Sequence, residues 1–372
     1  MVRSLNSAVS GLQRFQERMD VIGNNIANVN TNGYKAARTE FADTFNQTLK
    51  TSAAGNTAPG GNASIQIGTG VATSAIRNLY TQGAIARTGV TTDLAISGEG
   101  FFVVQDPLST REYATRDGQF TRDEEGYLIN STGLRVQGFS DNTLTTRGDI
   151  KIDYPYAATS GNFEVNGKTI SVDTNDKMET VLAKISAATE GAVTGSYDPV
   201  TRKITLNSVS AIALSTPAGG SNFLQLAELD ATGNTGTITS TTEPGDILAR
   251  LSSFSIDSDG KVNIKLTNGT NYVRGQVLLQ RFTDPQALVK EGNNLYSGID
   301  AAGPLGGSAS PLPQAANTNG LGRIEPSAVE LSNVDLTNEF ATMITTQRAF
   351  QASARIITTT DEMLSETVNL KR

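Results

Sequence analysis

Cysteine, histidine and tryptophan are all missing from the 372 residues of this chain. Without an imidazole, the proton-accepting partner of a Ser-His-Asp or Cys-His nucleophile cannot be built, and the usual zinc and iron ligand sets fall away with His and Cys. Without cysteine there is no disulfide framework, so the chain suits an oxidising or a reducing compartment alike. Charge is sparse as well: Asp, Glu, Lys and Arg make up 18% of the residues, against roughly 25% in an average soluble protein. The formal net charge of −7 argues against nucleic acid or insertion at an anionic membrane, because either selects a basic face. No run of about 18 apolar residues is present to span a bilayer, and residues 1–30 lack the apolar core and small-residue cleavage site of a secretory leader. Gly, Ser, Thr and Asn fill the gap left by the missing types, which is the composition of a turn-rich, β-rich protein long enough for two or three domains. A protein partner is the expectation.

The strongest periodic signal stands at the two ends. Leu5, Leu12, Met19 and Ile26 recur at every seventh position, with Ala8, Phe15, Ile22 and Val29 three residues after each, which makes an a/d seam of period 3.5. Near the other end Leu336, Phe340, Met343, Gln347, Phe350, Ala354, Ile357, Asp361, Leu364 and Val368 follow at alternating steps of four and three, interrupted only by Gln347 and Asp361. Ser332 and Asp335 stand where a capping-box-like start of this helix is expected. Two ordinary helices covering one core would also bury apolar faces. A strict period at both extremes and a length of about 45 Å each, at 1.5 Å per residue, favour helices built to pack against further copies.

Between the ends the pattern is β. Residues 93–105 (DLAISGEGFFVVQ) read as a hairpin around Gly98-Glu99-Gly100, and residues 115–138 and 254–271 read as meanders around Asp117-Gly118, Glu125-Gly126, Thr132-Gly133, Asp259-Gly260 and Asn268-Gly269. Residues 161–229 form a module of hairpin, helix and hairpin. Residues 51–70 and 301–322, rich in Gly, Pro, Ser and Asn, read as connectors.

Candidate chemistry is thin. Gly98-x-Gly100 lacks the third glycine and the following helix of a phosphate loop. Ser258-x-x-Lys261 has the spacing of a serine-lysine hydrolase but crosses a turn instead of opening a helix. Asp257, Asp259 and Gly260 lack the downstream bidentate Glu of a calcium loop. Asp123, Glu124 and Glu125 offer the carboxylates a glycosidase would need, in an apparent hairpin turn. No catalytic residue, cofactor or metal is expected.

These segments resemble the bacterial flagellar rod and hook family over nearly the whole chain. Residues 24–35 (NNIANVNTNGYK) are similar to its N-terminal signature through Asn24, Asn25, Asn28, Asn32, Gly33 and Tyr34. Gly100, Phe101 and Phe102, continued by Val103-Val104 and by residues 115–120 (TRDGQF), are similar to its central β motif, and residues 332–372 to its C-terminal run. The resemblance implies a multidomain α+β fold. A terminal α-helical coiled-coil domain of residues 1–32 and 327–372 would form an inner tube, with a connector at 33–70. A discontinuous antiparallel central β domain would take 71–146 and 272–326. A β-rich outer domain with a short helix would be inserted at 147–271, its 161–229 module resembling a repeat of flagellins and filament-cap proteins.

What the resemblance implies for function is a self-assembling, non-enzymatic subunit of the flexible hook, which passes torque from rod to filament; hook members carry a sizeable insertion and rod members usually little. The implied partners are further copies in a helical tube, the distal rod, the hook cap and hook-filament junction proteins, and the type III export apparatus that delivers the chain without a cleaved leader. The implied assembly seam is Leu5, Leu12, Phe15, Met19, Ile22, Ile26, Leu336, Phe340, Met343, Phe350, Ile357 and Leu364. A rod subunit, a secreted β-rich adhesin and a glycosidase remain the alternatives.

Overall fold

The computed structural model describes residues 2–52, 64–141, 144–153, 158–173, 176–198, 203–227, 229, 235–239, 251–267, 269–305 and 313–370. Parts of both expected connectors, and Asn268 of one expected turn, lie outside the described residues. The chain forms two compact units: the first takes Met1–Thr121, Ile129–Gln137 and Leu278–Arg372, the second Arg122–Leu128 and Gly138–Val277. The fold is mostly β, with a long helix near each end. Among the described residues the α-helices are α1 (Val2–Ala27), α2 (Met178–Ala188), α3 (Phe223–Leu226) and α4 (Leu336–Asn369).

In the first unit α1 and α4 lie side by side and antiparallel. Asn25 Nδ2 donates to Glu339 Oε1 at 3.1 Å near one end, while Gly11 faces Ser353, whose Oγ would stand 3.5 Å from a Cβ placed there. That register carries the last turns of α4, from Met363 onward, past the start of α1. The start of α4 differs from the capping box expected of Ser332 and Asp335. Asp335 alone is the N-cap, its Oδ1 accepting from Thr337 N at 2.9 Å and Asn338 N at 3.3 Å, while Ser332 Oγ accepts from Val334 N at 3.3 Å outside the helix. A cap must sit directly before the first helical residue to reach the free amides of the opening turn, and only Asp335 does.

A β-ribbon leaves the end of α1 and runs back along it. Ala37–Asp43 pairs antiparallel with Val71–Asn78, and beyond them Asn46–Lys50 pairs with Ile65–Gly68. The stretch expected as a connector at 51–70 therefore contains a strand. Regular pairing needs no apolar core along its length, so a low-hydrophobicity composition did not exclude it.

The β core of the first unit is a set of antiparallel strands. Phe101–Gln105 pairs with Glu112–Thr115, which pairs with Leu295–Ser297 and so with Val289–Gly292. Phe101 and Phe102 also pair with Gln280 and Leu279, and Gln105 and Val104 with Arg135 and Val136. The hairpin expected around Gly98-Glu99-Gly100 does not form: Leu94–Ser97 pairs with Arg323–Pro326, more than two hundred positions away. Gly98 and Gly100 have φ of 117° and 133°, a conformation that carries the chain from one sheet to another instead of the paired left-handed residues a two-residue hairpin needs. Phe101 meets Tyr80, Phe282 and Tyr296 edge-on with ring centroids 5.5 to 5.8 Å apart, as aromatic quadrupoles favour, and Tyr80 lies tilted against Tyr296 at 6.0 Å.

The second unit contains the module expected at 161–229. Gly161–Val165 and Lys168–Val172 form a hairpin whose corner residues Asn166 and Gly167 have φ of 51° and 73°, the paired left-handed turn that Asn-Gly favours. Helix α2 follows, then Val193–Asp198 paired with Lys203–Ala211, and Thr235–Thr239 adds a third strand. Phe163 stacks on Phe223 at 5.1 Å inside a core that also holds Val181, Leu182, Ile185 and Leu206. Leu251–Ile256, Lys261–Leu266 and the opening of Asn271–Phe282 form the expected meander.

Candidate assembly site

Three stretches far apart in sequence meet in the first unit around one buried carboxylate. Glu330 closes the strand Ala328–Glu330 and is 1% exposed. Its Oε1 accepts from Lys35 Nζ at 2.6 Å and from Gly83 N at 2.8 Å, and its Oε2 accepts from Arg116 Nη1 at 3.1 Å. Lys35 also donates to Thr81 O at 2.8 Å, and Arg116 Nη2 donates to Gly98 O at 2.8 Å with its guanidinium 5.3 Å from the Phe101 ring centre. Burial pushes the pKa of both cations down, and the Glu330 charge pushes them back up. Taking charges out of water is tolerable here because nearly every one of their polar atoms has a partner.

Amide side chains tie the helix ends to this triad. Asn25, at the end of α1, accepts from Ala37 N at 2.9 Å and donates to Ala37 O at 2.8 Å, as a paired strand would. Tyr34 Oη donates to Asn25 Oδ1 at 3.3 Å, and Lys290 lies over the Tyr34 ring while donating to Lys35 O at 2.8 Å. Asn294 Nδ2 donates to Asn32 O at 2.7 Å. Just before α4, Asn333 accepts from Ala36 N at 2.8 Å and donates to Leu79 O at 2.7 Å. Both terminal helices are thus fixed to the β core within a few residues of their inner ends.

The backbone packs as tightly as the side chains. Gly33 has φ of 68°, and a Cβ there would stand 2.6 Å from Asp117 N. Gly33→Ala combines a left-handed penalty with a clash against backbone, and we expect it to lower unfolding stability by more than about 2 kcal/mol, read as a shifted denaturation midpoint at unchanged slope. A midpoint at the wild-type value would show that the junction yields.

The signature residues fall at this junction. Asn25, Gly33, Tyr34, Gly100, Phe101 and Phe102 are buried, Asn28 and Asn32 half-buried, and Asn24 exposed but accepting from Asn28 Nδ2 at 2.7 Å. The seam residues are divided. On α1, Ile22 is buried and Leu5, Leu12, Phe15, Met19 and Ile26 are half-buried, with Phe15 edge-on to Phe41 of the ribbon at 6.4 Å. On α4, Met343, Phe350, Ile357 and Leu364 are half-buried, whereas Leu336 and Phe340 are exposed. The buried residues of α4 are Thr346 and Thr360, whose hydroxyls donate to the carbonyls of Thr342 and Ile356 at 2.7 and 2.6 Å. The α4 flank bearing Leu336, Phe340 and Ile344 is left 39% to 52% exposed by the described residues.

The other candidates occupy turns. Asp123 Oδ1 accepts from Tyr127 N at 2.6 Å, and Asp257 Oδ1 accepts from Asp259 N and Lys261 N at 3.1 and 2.8 Å, so both carboxylates brace backbone. Among the described residues no group of three or more acidic, His or Cys side chains is arranged to hold a metal ion.

Three family models match the chain: "Flagella basal body rod protein" over residues 5–35, "Flagellar hook protein FlgE/F/G D1 domain" over 95–194, and "Flagellar basal body rod FlgEFG protein C-terminal" over 325–370. Each supplies one member of the buried triad, Lys35, Arg116 and Glu330 in turn. The flagellar basal-body rod protein FlgG of Bacillus subtilis is 31% identical over 372 aligned positions that cover all of both chains. The chain belongs to the flagellar hook and rod family. Relatives in that family include the flagellar hook protein FlgE of Treponema pallidum, 29% identical over 471 aligned positions and the full length of both, and that of Escherichia coli, 28% identical over 425 positions, 99% of this chain and 100% of the other. These names support a structural subunit of the flagellar hook, with the rod protein a match as well. A crystal structure of Helicobacter pylori flagellar hook protein FlgE2 aligns with 64% of this chain and 99% of that chain, at 11% identity and a TM-score of 0.32, a likeness too weak to carry an argument. Lys35, Arg116 and Asn333 stand inside the stretches 24–35, 115–120 and 332–372 that carry the family resemblance, but their convergence with Glu330 has no signal in the sequence.

Proposed function

We propose that this chain is the repeating subunit of the flagellar hook, polymerising into a tube that bends while it passes torque from rod to filament. The observation that carries the reading is the division of α4, pinned at its start by the buried junction and left with an uncovered apolar flank. A stiff anchor with an unsatisfied apolar surface suits a subunit completed by its neighbours. In this reading residues 1–32 and 327–372 form the inner tube through a coiled-coil seam, 71–146 and 272–326 surround it, and 147–271 lie outermost. Polar, sparsely charged outer surfaces exchange hydrogen bonds and bridging waters at little cost as neighbours slide during rotation. In this reading the tube stands outside the cell on the distal rod, meets cap and junction proteins at its far end, and receives subunits through the flagellar export apparatus.

A rod subunit is the second reading, favoured by the alignment to the Bacillus subtilis rod protein, which needs no positions beyond the 372 of this chain, while the hook relatives need 425 to 471. Electron microscopy of the purified full chain under salting-out conditions separates them. Curved tubes are expected; straight tubes would move the chain to the rod, and monomers under widely varied conditions would remove the polymer reading altogether.

A further inference from the structure

In the second unit the meander of Leu251–Ile256, Lys261–Leu266 and the opening of Asn271–Phe282 carries a trough of about 360 Å³, within the roughly 300–1,000 Å³ of ligand pockets. Strand register sets its polar lining. Ser253 stands opposite Lys265, Ser255 opposite Asn263, and Lys265 opposite Asn271. Residues directly opposite, and residues two apart along a strand, share a face, so these five side chains stand on one side of the sheet. Ser253, Ser255, Lys265 and Asn271 are exposed and Asn263 is half-buried. Between the rows Phe254 pairs with Ile264 on the other side, where Ile264 is 1% exposed, so the polar face rests on a packed layer. Asn263 Nδ2 donates to Asp257 Oδ2 at 3.3 Å, which fixes that amide in place. With about 4.8 Å between strands, the three rows span about 10 Å.

Charge gives the face its chemistry. The chain carries a net charge of −7, yet among the described residues lining the trough there is no Asp or Glu, and Lys265 is the one cation. Lys151 and Arg274 of the same unit are both paired with Asp153, whereas no carboxylate among the described residues pairs with Lys265. Serine hydroxyls and asparagine amides each donate and accept, which matches a ligand rich in hydroxyl groups. A single ammonium matches a single carboxylate. A nucleic acid would call for several cations along its backbone and aromatic side chains for its bases, and a lone phosphate for an arginine fork or converging backbone amides.

We propose that this face binds an acidic saccharide, a chain of sugar rings carrying carboxylates of the uronic acid type. Lys265 meets a carboxylate, and the Ser and Asn side chains on the flanking rows meet the hydroxyls of two consecutive rings. The site lies wholly within the second unit and stands whether or not the chain polymerises, so its failure and the failure of the polymer are separate results.

The full chain, kept below its polymerisation concentration, is titrated with tri-galacturonate and with uncharged maltotriose and followed by calorimetry. Saturable binding of tri-galacturonate at millimolar concentration is expected, with maltotriose at least about fivefold weaker. Lys265→Gln should weaken tri-galacturonate at least about fivefold, as should raised salt, and leave maltotriose unchanged. Asn271→Ala should weaken both saccharides. Lys177→Gln removes the same charge at an exposed position outside the trough and should bind as the wild type does. Unfolding midpoints of all three variants should equal that of the wild type, so that lost binding reports the face and not the fold. Absence of saturation by tri-galacturonate, equal affinity for maltotriose or for inorganic phosphate, or equal weakening by Lys177→Gln would each overturn the proposal.

Discussion

Glu330→Ala is expected to destabilise the first unit by about 3–5 kcal/mol, the loss that follows when one partner of a buried ion pair is removed and the other charges stay behind. Here two cations stay, Lys35 and Arg116, both at most 5% exposed. The substitution also strands Gly83 N, which donates to the same carboxylate at 2.8 Å. Glu330→Gln should lose less, because an amide oxygen can still accept from Gly83 N and from one cation. The effect has a pH signature. Without the anion, burial and the neighbouring Arg116 charge act unopposed on Lys35, so its pKa in the folded variant falls further below the ordinary lysine value. Between that lowered value and the ordinary one, the unfolded chain binds more protons than the folded chain, and stability rises with pH. The deficit of Glu330→Ala should therefore shrink as pH is raised from neutral towards the ordinary lysine range. Urea unfolding at several pH values measures it; a loss under about 1 kcal/mol at neutral pH would mean that the triad is hydrated and not buried.

Local grammar was enough for the elements and not for their junction. The hairpin that opens the 161–229 module was legible because a strand-turn-strand pattern lies within a few adjacent residues, and the period of 3.5 placed both long helices because it is a property of their own sequence. Lys35, Arg116 and Glu330 have no such signal. Glu330 is separated from Lys35 by 295 positions and from Arg116 by 214, and a charge paired over that distance looks locally like any surface charge. The hints were Lys35 and Arg116 inside the stretches 24–35 and 115–120 that carry the resemblance, and Glu330 directly following Ala328 and Val329 at the end of an apolar strand. Leu94–Ser97 shows the same limit, since alternation marks a strand but not its partner. On α4 the expected seam is divided, with Met343, Phe350, Ile357 and Leu364 half-buried and Leu336 and Phe340 exposed. The seam rule weights apolar side chains, yet the line turned to α1 carries Thr346 and Thr360, whose hydroxyls are satisfied by their own helix and so bring no unpaired polar group to the contact.

That displacement of the contact face is why Phe340→Asp should separate assembly from folding. Phe340 is 49% exposed and belongs to the flank that α1 leaves free, so an aspartate there remains in water in the single chain and should move the unfolding midpoint by less than about 0.5 kcal/mol, the range of ordinary surface substitutions. In a tube the same position would be covered, and an unpaired carboxylate with no partner costs several kcal/mol at each interface. Summed over a polymer in which every subunit carries it, that cost is enough to abolish tubes at concentrations where the wild type assembles. Leu12→Asp is the informative contrast. Leu12 is already half-buried within the chain, so its replacement should lower both the unfolding midpoint and assembly. Sedimentation after polymerisation, alongside thermal unfolding of the soluble protein, gives both quantities. Tubes of Phe340→Asp at wild-type yield would mean that the flank faces solvent in the polymer, and assembly would then have to run through the other side of α4, near Ile356 and Met363.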